Sequence, residues 1–112
     1  MVKKLLFTAF LFCSIVVHAA DNDEASFDEI CKIYSSALNS SMNIEQLSDY
    51  IFSNVAQRVK SKDALEAHEA VMQVDQTKRY QIFKQSAELV LKHPWNCEAM
   101  QQVMQKTQTP AN

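Results

Sequence analysis

Residues 92–97 read KHPWNC, and the cysteine that ends this stretch decides how the chain is held together. Apart from Cys13 in the apolar N-terminal run, the chain contains only Cys31 and Cys97. Two cysteines in a small exported domain usually form a disulfide bond. The sequence therefore predicts a Cys31–Cys97 disulfide that joins the first helix of the domain to the last.

The N-terminal residues have the three parts of a secretory signal peptide. A positive start is followed by an uncharged apolar run over residues 5–17 and then by compact residues. This run is shorter than the roughly 20 residues that cross a bilayer. We therefore expect residues 1–19 to be a cleaved signal peptide, with export to a bacterial periplasm and no stable membrane insertion after cleavage. Phe12 stands before Cys13, where a lipoprotein signal needs a small residue, so lipidation is disfavoured.

The composition excludes several classes of function. When Lys3 and Lys4 leave with the signal peptide, the 11 basic residues fall to 9 against 13 acidic residues, which gives a net charge of −4. No basic face for nucleic acid is expected at this charge. Glycine is absent from the 112 residues, which excludes the glycine-rich loops that bind phosphates and dinucleotides.

The same composition predicts an all-helical protein. The chain has no glycine and two prolines, and these are the residues that most often interrupt helices. Apolar residues at spacings of three and four predict five amphipathic helices. They are expected at about residues 27–39, 43–59, 63–74, 76–92 and from Pro94 onward. We expect an all-α, compact, orthogonal or bundle-like domain over residues 20–106, followed by a flexible tail at residues 107–112.

Side-chain caps are expected at several helix starts. Ser26 with Glu29 has the spacing of a capping box, in which two side chains satisfy two free backbone N–H groups. Asn43 with Gln46 has the same spacing before the second helix. Asp75 is expected to cap the fourth helix, because its carboxylate can accept from the free N–H groups of the first turn.

A metal or redox site is the main alternative interpretation of residues 92–97. His93 and Cys97 are four residues apart, the spacing of two ligands on one helix face. However, Pro94 is expected at the first helical position, which places His93 before the helix. A tetrahedral zinc site needs four ligands, and the chain has no Cys-x-x-Cys motif. We therefore predict a structural disulfide with Trp95 packed over it.

The remaining candidate ligands and catalytic groups also have structural explanations. Residues 68–72 begin like the zinc-protease motif His-Glu-x-x-His, but a methionine replaces the second histidine. His68 is therefore expected to be a half-buried helix residue with one hydrogen-bond partner. Methionines at helical spacing usually fill a core rather than bind copper(I). The residues considered for copper are Met72, Met100, Met104 and His93. The sequence predicts no enzyme activity, no cofactor and no metal.

Binding of another protein is the function that the remaining residues favour. The aromatic residues exceed what narrow helix stripes need, and the last helix is rich in glutamine and methionine. The candidate contact residues are Tyr50, Phe52, Tyr80, Phe83, Met100 and Met104. We predict a non-catalytic exported protein that binds a periplasmic or envelope protein as an inhibitor, immunity factor or adaptor. The alternatives are a periplasmic stress chaperone that exposes apolar surface on mild unfolding, and a carrier of a metal or small ligand.

Overall fold

Five α-helices form most of residues 22–107, the part of the chain that the computed structural model describes. In chain order they are α1 (residues 22–38), α2 (Ile44–Arg58), α3 (Lys62–Val71), α4 (Arg79–Leu91) and α5 (Glu98–Lys106), with a 3₁₀ turn at Gln76–Lys78 before α4. The prediction of a compact all-helical domain with five helices is confirmed for these residues. The predicted signal peptide at residues 1–19 and most of the predicted tail, residues 108–112, lie outside them.

Helix α1 is central, because it contacts the helices around it and contributes a wide buried face. Glu29 forms an ion pair with the last residue of α2. The Tyr34 hydroxyl hydrogen-bonds to His68 of α3, and the Phe27 ring packs against Phe83 of α4. The buried apolar residues of α1 are Phe27, Ile30, Ile33, Tyr34 and Ala37.

The start of α1 differs from the prediction. Ser26 is not an N-cap, since the helix already includes residue 22 and Ser26 is buried within it. Its hydroxyl oxygen instead accepts a hydrogen bond from the backbone N–H of Ser61, at 2.9 Å. The Ser61 hydroxyl in turn donates to the carboxylate of Asp23. A long-range partner therefore replaced the expected local capping box.

Helix α2 begins as predicted. The side chain of Asn43 accepts from the backbone N–H of Gln46, and the Gln46 side chain accepts from the N–H of Asn43. The capping box is therefore confirmed. The core-facing residues of α2 are Leu47, Ile51 and Val55. Ile44, the first residue of α2, was expected on this core-facing side from its apolar spacing, but it is 51 % exposed.

Helix α3 ends three residues earlier than predicted. Its first turn is capped by the Ser61 side chain, which accepts from the N–H of Ala64. Beyond its last residue the chain makes turns, and the Arg79 guanidinium donates to the carbonyl oxygens of Met72 and Val74. These carbonyls would otherwise lack partners at the helix end. Arg79 therefore ties the end of α3 to the start of α4.

Helix α4 is shorter than the predicted helix at residues 76–92. Its predicted cap, Asp75, makes no side-chain bond to a backbone N–H, because its carboxylate accepts from the Thr77 hydroxyl instead. The first turn is consequently a 3₁₀ turn. At the other end Lys92 has φ of 65°, in the left-handed region. Lysine here occupies a position that glycine most often takes, and the chain has no glycine.

Helix α5 starts later than predicted. Pro94 is not its first residue, since residues 94–97 are non-helical and the helix begins at Glu98. Cys97 is its N-cap, with an extended backbone and a sulfur that accepts from the N–H of Met100 at 3.4 Å. We call residues 94–97 the strap.

Candidate functional site

The strap is fastened to α1 by the predicted disulfide. Cys31 and Cys97 are bonded, with their Cα atoms 5.8 Å apart and 66 residues between them in sequence. The prediction that a disulfide links the first helix to the last is therefore confirmed, with the second sulfur at the cap of α5. Because both cysteines are used in this bond, neither provides a thiolate for metal or redox chemistry.

Side chains of α4 fasten the strap from the other side. The Glu88 carboxylate accepts from the backbone N–H of Trp95 at 3.0 Å, and the Lys84 ammonium donates to the Trp95 carbonyl at 2.9 Å. The Tyr80 hydroxyl accepts from the N–H of Cys97 and donates to the side chain of Asn96. Lys84 and Glu88 also form an ion pair, and the Lys84 hydrogen bond lowers the pKa of Glu88. These side-chain hydrogen bonds to the backbone of the strap hold it in a non-helical conformation.

His93, the residue directly before the strap, makes an exposed contact with α1. Its Nε2 lies 2.8 Å from the Glu24 carboxylate, and its Nδ1 lies 2.8 Å from the carbonyl oxygen of Pro94. The hydrogen bond to Glu24 raises the pKa of His93, followed by the bond to Pro94. Both ring nitrogens of His93 face oxygen acceptors, so the protonated ring is favoured, and the side chain joins the N-terminal part of α1 to the segment before the strap.

A row of aromatic rings connects the strap with the surface of α2. Trp95 lies in the core, with its ring centroid 5.4 Å from that of Phe83. Phe83 contacts His68 at 6.1 Å, and His68 contacts Phe52 at 5.9 Å. Trp95 also packs on Phe27. The Trp95 ring therefore packs against Phe27 and Phe83 in the core. Phe52 is the last ring of the row, at the surface of α2.

His68 is more deeply buried than predicted. Only 2 % of its surface is exposed, and its Nε2 lies 2.7 Å from the Tyr34 hydroxyl. Burial lowers the pKa of His68 to about 4, because the charged ring loses its hydration. Burial also raises the pKa of Tyr34. At neutral pH both groups are uncharged, and each provides the other's hydrogen-bond partner.

An open apolar depression lies above His68, between α2 and α3. Its volume is about 230 Å³, and its lining residues are Phe52, Val55, Ala56, Leu65, His68 and Glu69. We call it the α2–α3 groove. Phe52 forms one wall and is 50 % exposed. On its other side Phe52 lines a second depression of about 140 Å³, together with Ile44 and Met72. Phe52 is therefore a ridge between the apolar groove and a second depression of mixed lining, which also includes Ser48 and Arg79.

Exposed carboxylates without ion pairs lie in the groove lining and on the face of α2 that carries Phe52. Glu69 is part of its lining. Asp49 and Glu45 lie three and seven residues before Phe52, so helix geometry places them on the same side of α2. Among residues 22–107 these three carboxylates form no ion pair, whereas Glu66 is paired with Lys62. The groove therefore combines an apolar floor with a negatively charged rim.

The predicted contact residues occupy different places. Phe52 lines the groove, and Tyr50 is half-buried. Tyr80 is engaged by the strap. The other three residues, Phe83, Met100 and Met104, are core residues with at most 5 % exposure. Met104 also lines the second depression together with Phe52.

Three groove residues were missed by the sequence analysis. Ala56, Leu65 and Glu69 contribute to the lining. Ala56 follows Phe52 by four residues and Asp49 by seven, which is a helical stripe on α2 that the sequence does contain. Leu65 was expected on the inner face of the third helix from its apolar periodicity with Ala64, His68, Val71 and Met72. It does pack against the core, and it also lines the groove.

Residues 22–107 contain neither grouped metal ligands nor a membrane-spanning helix. Within residues 22–107 no three histidine, cysteine, aspartate or glutamate side chains are grouped so that they could hold a metal ion. No helix in this part of the chain combines the length and the apolar character needed to cross a membrane. Comparisons of the chain with models of protein families, with curated proteins and with solved structures found no match.

Proposed function

We propose that the protein is an exported, non-catalytic domain that binds another protein of the periplasm or envelope through the α2–α3 groove. The observation that carries this proposal is the position of Phe52. Among the aromatic residues at positions 22–107 it is the one that is half exposed, with the apolar groove on one side and a depression of mixed lining on the other. Aromatic anchors beside a pocket are typical of residues that dominate binding energy.

The surroundings of Phe52 suit a binding role. Its ring packs edge-on against His68, which is itself fixed by the hydrogen bond to Tyr34. A side chain that is already held in place loses little conformational entropy on binding. The groove therefore presents a preorganised contact rather than a loose one.

The disulfide supports the location in this proposal. Disulfide bonds persist in oxidising compartments such as the periplasm and are rare in the cytosol. The strap and the Cys31–Cys97 bond lie at the far end of the aromatic row from Phe52. The fastening and the proposed binding surface therefore use separate parts of the molecule.

Comparison of two exposed positions tests the proposal. The Phe52→Asp variant should lose a partner that co-purifies in fixed stoichiometry with the wild-type chain from the periplasm. The matched control is Leu89→Asp, since Leu89 on α4 is 79 % exposed and lines no part of the groove. The control should retain the partner. Equal recovery with both variants, at equal thermal stability, contradicts a role for the groove.

A second candidate function, a stress chaperone that exposes apolar surface in acid, is favoured by the burial of His68. Its ring contacts are Tyr34, Phe52 and Phe83, and none of these can stabilise an imidazolium by charge. Glu69 shares the groove lining with His68, and the charge of Arg79 acts on Tyr34. Burial is the cause that lowers the pKa of His68. Protonation of His68 would therefore loosen the contact beneath Phe52.

Dye binding and aggregation assays test this second candidate. A dye that fluoresces on apolar surface should bind more as the pH falls from about 7 to about 4, and the protein should then suppress aggregation of a client. The His68→Gln variant should show less dye binding at low pH. A wild-type protein that binds no dye at low pH excludes the chaperone function.

A further inference from the structure

We propose that the occupant of the α2–α3 groove is a positively charged amphipathic helical segment of the partner protein. This inference rests on the proposed function and names the kind of segment that the groove recognises. It follows from the groove's size, from its helical walls and from the charges around it.

The size of the groove favours a protein side chain. Its volume of about 230 Å³ lies below the roughly 300–1,000 Å³ typical of small-molecule sites. Its lining is apolar at Phe52, Val55 and Leu65, so an aliphatic side chain of the partner fits the chemistry of the floor.

The walls of the groove favour a helical ligand. They are formed by α2, with 15 residues, and α3, with 10 residues, which are about 22 and 15 Å long. Amphipathic helices commonly lay their apolar face into a groove of this kind between helices. Ile44 and Met72 extend the apolar lining past Phe52 into the second depression, which gives a second point of contact. An amphipathic helix carries apolar residues about one turn apart, which suits contacts on both sides of Phe52.

The charges around the groove select the sign of the partner. Glu45, Asp49 and Glu69 have no ion pair among the described residues. Of the nearby cations, Lys62 pairs with Glu66, whereas Arg79 lines the second depression, where its guanidinium donates to the carbonyl oxygens of Met72 and Val74. The basic residues of the partner are therefore expected beside the α2–α3 groove and away from Arg79. A lysine- or arginine-bearing helix would provide the missing opposite charges, and an acidic helix would be repelled.

Binding of synthetic peptides to the oxidised full domain tests this inference. The probes are an amphipathic helical peptide with leucines on one face and lysines on the other, the same peptide with glutamates replacing the lysines, and the lysine peptide in a scrambled order. We expect the lysine peptide to bind about ten-fold or more tightly than the other two. Its advantage over the glutamate peptide should shrink as salt is added, because exposed charges are screened.

Two triple variants distinguish the effect of the carboxylates beside the groove from the effect of the overall net charge. Neutralising the rim with Glu45→Gln, Asp49→Asn and Glu69→Gln together should weaken binding of the lysine peptide about ten-fold. A control with the same change of net charge should leave binding within about two-fold. The control substitutions are Asp28→Asn, Asp63→Asn and Glu98→Gln. Equal losses in both variants overturn the inference, as does equal binding of the lysine, glutamate and scrambled peptides.

The outcome for this inference can be distinguished from that for the proposed function. If Phe52→Asp abolishes recovery of the partner while the peptides show no preference for lysine, the groove is a binding site but its ligand is not a cationic helix. If sedimentation shows that the chain forms a dimer that Phe52→Asp abolishes, the occupant is a second copy and the inference is wrong. If neither partner nor peptide binding depends on Phe52, both proposals fail.

Discussion

The hydroxyl of Tyr34 and the Nε2 of His68 lie 2.7 Å apart, although 34 residues separate them in sequence. This bond joins the central helix to α3 directly beneath Phe52, whose ring rests on His68. Both groups are buried and each satisfies the other. His68 therefore belongs both to the floor of the proposed binding groove and to a hydrogen bond of the core. The strength of that hydrogen bond depends on the charge of His68.

Stability is expected to fall in mild acid because of His68. Its pKa is about 4 in the folded protein and 6.5 ordinarily, so the unfolded chain takes up a proton that the folded protein rejects. The free energy of unfolding should therefore decrease as the pH falls from 6.5 to about 4, by on the order of 3 kcal/mol. Urea unfolding at a series of pH values measures this change.

The His68→Gln variant is the control for the acid effect. Glutamine has no titration in this range and can still bond to Tyr34, so its stability should vary less with pH over the same window. The ion pair of His93 with Glu24 does not imitate the effect. The raised pKa of His93 means that its contribution is present in acid and is lost as the pH rises through that pKa. The same pH dependence in wild type and variant would show that His68 is not the cause.

Removal of the disulfide should destabilise the domain strongly. The bond spans 66 residues, and the loop-entropy relation for that length gives about 4 kcal/mol. Replacing both Cys31 and Cys97 by serine keeps an acceptor at the cap of α5 and removes the covalent link. The free energy of unfolding, measured in urea with oxidised wild type as reference, should drop by about that amount. A loss below about 1 kcal/mol would show that the strap's hydrogen bonds hold it in place without the disulfide.

The left-handed residue at the end of α4 offers a stabilising substitution. Lys92 has a φ of 65°, which is unfavourable for a residue with a Cβ atom. Lys92→Gly removes that cost but gains disorder in the unfolded chain, so the expected net gain is about 0.5–1 kcal/mol. Thermal unfolding measures it. As a control, Lys84→Gly lies within α4 and also removes the bond to Trp95, so it should destabilise.

Two phenylalanines should respond differently to truncation. Phe83 is fully buried and contacts Phe27, His68 and Trp95, so Phe83→Ala should cost about 3–5 kcal/mol. Phe52 is half exposed, so Phe52→Ala should cost about 1 kcal/mol. Chemical denaturation of the two variants gives both values. Similar losses would mean that Phe52 is needed mainly for folding.

Much of the fold was predictable because its determinants are local or compositional. The lack of glycine together with apolar residues at spacings of three and four predicted the helices, and the Asn43–Gln46 capping box begins α2 as its spacing indicates. The disulfide followed from the number of cysteines. The strap was not predictable, because it depends on contacts such as Tyr80 with Cys97, 17 residues apart. The pattern at Ser26 failed for the same reason, since its partner Ser61 is 35 residues away.

The groove was only partly predictable. Periodicity identifies which face of each helix is apolar, and Phe52 was recognised as surplus to the core stripe. How the faces of α2 and α3 meet depends on contacts between residues distant in sequence, such as Phe52 with His68, which no local pattern encodes. Leu65 therefore lines the open groove while it also packs against the core.

Contact of position 52 with a partner protein is the most direct measurement of the central claim. A photo-reactive phenylalanine analogue would replace Phe52 in one variant and Leu89 in the other, and cells exporting each variant would be irradiated. We predict one crosslinked product of defined mass from position 52 and none from position 89. Absence of a product at position 52, or the same product from both positions, would contradict binding through the α2–α3 groove.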